Sequence, residues 1–161
     1  MIRIHATCVA VEGRAVLLRG PSGVGKSDLA LRLLDGAPGR GSRTDAVLVA
    51  DDQVELHADG GRLLAAPPAA LAGLIEVRGI GIVELPWHAP VPVGLVADLV
   101  PRDTVERMPE PSWTEMLGVR VRHTALHAFD ASAPARLRLL LTGIPVRHPM
   151  QLDSSTAASR P

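Results

Sequence analysis

Gly20-Pro-Ser-Gly-Val-Gly-Lys26-Ser27 is the stretch of this sequence whose residue types and spacing are best matched to a chemical task. It fits the pattern G-x-x-x-x-G-K-[ST] of a P-loop, in which backbone N–H groups of a glycine-rich turn and the start of the next helix cradle phosphate oxygens. Gly20, Pro21, Ser22, Gly23, Val24, Gly25, Lys26 and Ser27 are therefore the candidate phosphate-binding residues. In such a loop the lysine meets the terminal phosphates and the serine hydroxyl serves Mg²⁺. Lys26 is also the only lysine among seventeen Lys and Arg residues. Its compact ammonium on a flexible stem does what a planar guanidinium cannot. These residues point to binding and use of a nucleoside triphosphate.

Two further groups could act with the loop. Asp51-Asp52 closes a short apolar run, Ala46 to Ala50, that reads as a buried strand able to lie beside the P-loop strand. An acid there is where P-loop enzymes hold Mg²⁺ or its water. Two adjacent acids allow one to serve the metal and the other to take a proton; the alternative is that the pair only opens a turn. Glu76 and Arg78 sit two apart on a segment read as extended, which points them to one face, one toward a cation and the other toward phosphate. A structural ion pair is the competing reading. Gly79 and Gly81 then permit close backbone approach. His5 lies on the strand expected to hairpin with the P-loop strand, where it is either near the phosphates or a structural histidine.

The elements that must position these groups alternate in kind. Strands are expected from about Ile4 to Val11 and from Ala15 to Arg19, turning at Glu12-Gly13-Arg14, and the second runs into the glycine loop. Leucines at 29, 31, 33 and 34 then give a helix over Ser27 to Leu34. Residues 36–45 read as a flexible surface loop. Val54 to His57 and Arg62 to Ala65 flank the hairpin signal Asp59-Gly60-Gly61. Trp87 to Pro92 reads as irregular, Leu95 to Val100 and Val119 to Ala128 as strands, and Ala133 to Leu141 as the last helix. Residues 1–144 are expected to form one α/β domain, with 145–161 a flexible tail.

Composition narrows the partners. The 161 residues carry 17 basic and 17 acidic side chains, so nothing marks a nucleic-acid footprint. Aromatic residues are scarce: Phe129, Trp87, Trp113 and no tyrosine. One cysteine, Cys8, excludes an intrachain disulfide or a cysteine metal cluster. No apolar run reaches the length of a membrane span and no leader pattern opens the chain, so a cytoplasmic protein is expected.

Together, His5, the P-loop through Asp28, Val-Leu-Val-Ala-Asp51-Asp52 and Glu76-Val-Arg78-Gly-Ile-Gly-Ile resemble the catalytic domain of HPr kinase/phosphorylase, over roughly residues 3 to 141. The resemblance implies a P-loop kinase fold related to phosphoenolpyruvate carboxykinase, a mixed sheet with flanking helices. It implies an ATP- and Mg²⁺-dependent kinase of a serine on the phosphocarrier protein HPr. By the same resemblance Ser27 and Glu76 ligate Mg²⁺, Asp52 is the base toward the acceptor serine, and His5 and Arg107 occupy catalytic positions. Family members form homohexamers, so a homo-oligomer is an expectation. An N-terminal domain of full-length members is expected to be missing. Before the last helix, His127-Ala-Phe-Asp130-Ala-Ser-Ala stands where the family has a basic proline-glycine segment implicated in dephosphorylation, which sets the reverse reaction apart from the forward one. A small-metabolite kinase on the same fold and a nucleotide-sensing module without transfer are the rival readings.

Overall fold

The computed structural model describes residues 1–35 and 46–147. The surface loop expected over 36–45, and all but the first three residues of the expected tail, lie outside the described residues. The chain forms β1 (Ile2–His5), β2 (Thr7–Val11), β3 (Arg14–Arg19), α1 (Lys26–Asp35), β4 (Ala46–Ala50), β5 (Gln53–Asp59), β6 (Arg62–Ala66), β7 (Leu74–Val77), β8 (Gly81–Glu84), β9 (Val91–Leu99), β10 (Ser112–Met116), β11 (Val119–Leu126) and α2 (Ala133–Leu141).

Nine strands make one curled mixed sheet in the order β1-β5-β6-β9-β3-β2-β4, with β11 and then β10 added beside β9. β9 runs parallel to both β3 and β11 and antiparallel to β6. β7 and β8 form a separate hairpin. Central strands buried on both faces read as unbroken apolar runs, and their alternate residues feed two cores. Val9, Val11, Val16, Leu18, Leu95 and Ala97 pack with Leu29 and Leu33 of α1 and Leu137 and Leu141 of α2. Cys8, Ala10, Ala15 and Leu17 face the other way, against Val54 and Leu56 of β5 and Leu63 and Ala65 of β6. The α/β class with a mixed sheet and flanking helices is the observed architecture.

Four sequence expectations about position are corrected. The run from Ile4 to Val11 is two strands: the chain changes partners at the buried Ala6, so β1 pairs with β5 while β2 pairs with β3 and β4. His5 is therefore not on the strand that hairpins with the P-loop strand. β4 lies beside β2 rather than β3, one strand further out than expected. Arg78 is not on an extended segment with Glu76, because Val77 to Ile80 is a turn closed by Ile80 N–H to Val77 O at 3.0 Å, with Gly79 at φ 85°. A glycine at that place is what a type II turn requires. Finally, β9 begins within the stretch read as irregular, and β10 has no counterpart in the sequence reading.

Candidate functional site

β3 delivers the chain to Gly20, and α1 begins at Lys26, so the glycine loop joins the strand's end to the helix's start as a P-loop needs. Gly20, Gly23 and Gly25 adopt φ of 149°, 79° and 103°, which L side chains rarely reach. Gly25 also has no room: an added Cβ would lie 2.8 Å from Phe129 Cζ and 2.9 Å from Ala128 Cβ. Gly23 has nothing within 4 Å of an added Cβ, so its backbone faces open space.

Lys26 is only 6% exposed. Its ammonium donates to Gly20 O at 2.8 Å and Pro21 O at 2.9 Å, which curls the loop around the charge. Burial pulls its pKa below the ordinary 10.5, while the charges of Asp51 and Asp52 act in the opposite sense. An ammonium held so is partly stripped of water, which strengthens its pull on a phosphate.

Asp51 is the meeting point of three elements. Its Oδ1 accepts from Thr7 Oγ1 on β2 at 2.7 Å and from Ser27 Oγ on α1 at 2.9 Å, and its Oδ2 accepts from the Glu76 N–H on β7 at 3.1 Å. Thr7 and Asp51 are both buried. Thr7 is thus a site residue that the sequence reading missed, although a threonine opening an otherwise apolar strand was a visible signal. The β2 strand lies between β3 and β4, and Thr7 bridges the gap that the true strand order creates.

Asp52 follows with φ 65°, a left-handed backbone that Asp tolerates better than most residues. Its side chain is exposed, and His5 Nδ1 lies 2.9 Å from its carbonyl oxygen and 3.2 Å from its Oδ1. β1, paired with β5 in the register His5↔Gln53, is what brings His5 here.

These groups line one cavity of about 490 Å³: His5, Thr7, Ser22, Gly23, Gly25, Lys26, Ser27, Asp51, Asp52, Glu76 and Arg78, joined by Asp28, Leu31, Val77 and Phe129. Glu76 and Arg78 are both on the cavity wall, Arg78 from the turn rather than from a strand. Arg107 is not brought there; it is exposed on the loop before β10. Among the described residues no group of three or more His, Cys, Asp or Glu could hold a metal by itself. The donors present beside the loop are all oxygens, from Ser27, Asp51 and Glu76, a set suited to Mg²⁺, which is usually held by one or two carboxylates together with phosphate oxygens and water. The cradle and this donor set therefore fit a polyphosphate with a hard divalent ion.

No helix among the described residues is long and apolar enough to cross a membrane. The family model described as HPr Serine kinase C-terminal domain matches residues 1–87. The HPr kinase/phosphorylase of Clostridium tetani is 42% identical over 84 residues, 52% of this chain and 25% of that protein. The HPr kinase/phosphorylase of Streptococcus thermophilus is 42% identical over 83 residues, 51% of this chain and 24% of that protein. The aligned part thus amounts to about a quarter of the length of these relatives. The solved structure of the Hpr(Ser) kinase/phosphatase from Coxiella burnetii superposes with a TM-score of 0.74, at 22% identity, over 96% of this chain and 99% of that one. At that identity the match speaks for the fold.

Proposed function

Since the chain belongs to the HPr serine kinase C-terminal domain family, we propose that it transfers the γ-phosphoryl group of ATP to a serine of an HPr-type carrier protein in the cytoplasm, with residues 1–144 as the catalytic unit. The observation that carries this reading is the sharing of one cavity by the buried Lys26, the Asp51–Ser27 pair and the exposed Asp52. Phosphoryl transfer depends mainly on positioning and on neutralising charge, and the chain supplies both. Loop N–H groups and Lys26 hold the phosphates. Asp51 fixes the rotamer of Ser27, so that Ser27 and Glu76 are the residues to hold Mg²⁺, whose role when bound is to neutralise phosphate charge.

Asp52 acts as the base. Its exposed carboxylate takes the proton of the incoming serine hydroxyl as that oxygen attacks phosphorus. A His5 Nδ1–H toward Asp52 orients the carboxylate for this step. Arg78, on the same wall, pairs with phosphate charge. The reading departs here from the wider set implied by resemblance, since Arg107 stands outside the cavity in a single chain. The reverse reaction is left out of the proposal, because the segment before α2 carries Ala128-Phe129-Asp130 in place of basic residues.

Incubation with γ-labelled ATP, Mg²⁺ and an HPr-type protein tests the reading directly. Label on the carrier's serine is expected, and Asp52→Asn is expected to retain ATP binding while turnover falls by several orders of magnitude. Transfer to a metabolite mixture without carrier would favour the small-molecule kinase, and ATP binding with no labelled acceptor a sensing module.

A further inference from the structure

The cavity has two chemically different walls. The residues just after β4, Glu76 of β7, the turn after it and the end of β1 contribute carboxylates, a guanidinium and an imidazole. The other wall, from α1 and the segment before α2, contributes Leu31 and Phe129, with Asp28 there paired to Arg32. Phe129 is the chain's only phenylalanine and no tyrosine is present, yet the residue is 55% exposed rather than spent in the core. It rests on the loop at Gly25, where an added Cβ would meet Cζ at 2.8 Å and Cε1 at 3.1 Å. His127 meets it edge to face, with centroids 5.8 Å apart.

The ring is also held in place. Arg32 of α1 donates to the carbonyls of Ala128 and Asp130 and pairs with Asp28 at 2.9 Å. Asp130 in turn is gripped by Arg102 and Arg136. The backbone on both sides of Phe129 is thus fastened to the helix whose start forms the phosphate cradle. A fixed, half-exposed aromatic face beside a phosphate cradle, with a leucine near it and no charged group on its own side chain, suits a flat apolar ligand part. Purine bases offer apolar π-faces even though their edges are polar, and they stack on aromatic faces with little regard to sequence.

We infer that Phe129, with Leu31, is the platform for the base of the nucleotide, so that the base adds to the binding that the phosphate chain alone gives. The inference rests on the triphosphate reading above and deepens it. The acidic wall takes the reacting end of the ligand, and the Phe129 wall takes the end that does not react. Because the platform reads a π-face and no hydrogen-bond edge, ATP and GTP should bind alike.

Calorimetric titration with Mg-ATP and with Mg-tripolyphosphate separates the possibilities. Phe129→Leu keeps an apolar side chain against Gly25 but removes the aromatic face, and Phe129→Trp keeps both. The Leu variant should bind ATP about tenfold more weakly and tripolyphosphate as the parent does, and the Trp variant should bind both normally. Equal weakening of the two ligands by Phe129→Leu would mean that the ring only props the loop, and no weakening of either would mean that it touches neither; both results overturn the platform. If the parent protein binds neither ligand, the triphosphate reading itself fails and the platform with it.

Discussion

The tetrapeptide Leu-Val-Ala-Asp occurs twice in this chain, at residues 48–51 and 95–98, each time as the buried end of a strand. The two aspartates have opposite surroundings. Asp51 accepts hydrogen bonds only from neutral donors, two hydroxyls and one backbone N–H. Asp98 is held by the Arg19 guanidinium through both oxygens, at 2.7 and 2.9 Å, and by His123 Nε2 at 2.8 Å. Partial burial alone would raise the Asp98 pKa, but the hydrogen bonds and charges of Arg19 and His123 outweigh it and bring it below the ordinary 3.8. One carboxylate is met only by neutral donors on the cavity wall; the other has its charge answered inside the fold. Identical local sequence thus yields a candidate site residue and a structural clamp, decided by which strands arrive next to each.

Substituting the two in parallel is the strongest way to break this contrast. Asp51→Asn leaves an amide where Oδ2 met the Glu76 N–H and removes the charge beside Ser27. Transfer rate should fall by about two to three orders of magnitude, with a raised Mg²⁺ requirement, measured on folded protein. Asp98→Asn should instead cost about 1–3 kcal/mol in denaturant midpoint and leave turnover within about tenfold of the parent. If the two variants exchanged these effects, the assignment of roles would be reversed.

A smaller effect sharpens the same point. Since the folded-state pKa of Asp98 lies below its unfolded value, the unfolded chain binds more protons as the medium turns acid. The stability gained from this clamp is therefore present above about pH 4 and is lost as pH falls through the depressed value. The stability gap between the parent and Asp98→Asn should narrow below about pH 4, as followed by denaturant midpoints at stepped pH. A gap that stayed constant would show that the clamp acts through packing and not charge.

Much of the site was legible because its signals are local. A glycine loop between a strand and a helix declares itself through residue type and spacing, and α1, β4 and α2 fall within a residue or two of expectation. What was not legible depends on pairing between distant segments. Near Ala6 the sequence changes only from the alternating Ile2-Arg3-Ile4-His5 to the apolar Thr7-Cys-Val-Ala-Val11, and that change does not say that the chain leaves β5 for β3 there. Arg78 is placed by a turn whose glycine was read as room for a ligand. Phe129 sits in the cavity only because α2 and α1 share a face, and Arg107 stays outside it for want of any such tie. The family match over residues 1–87 follows the same division: it covers the loop, both acids and the β7–β8 hairpin, and stops before the strand that carries Asp98.

The position of β9 has a consequence for how this protein comes into being. The P-loop strand β3 has β2 on one side and β9 on the other, and β9 follows it only after five further strands and a helix. Parallel partners so far apart along a chain are slow to meet. During synthesis on a ribosome the glycine loop emerges early, on a strand still open along one edge. That edge closes only once β9 has been made, and Phe129 reaches Gly25 later still. The centre of the sheet is therefore filled after its outer strands β1 and β4 have been made, and its anion cradle is among the first parts made and the last parts finished.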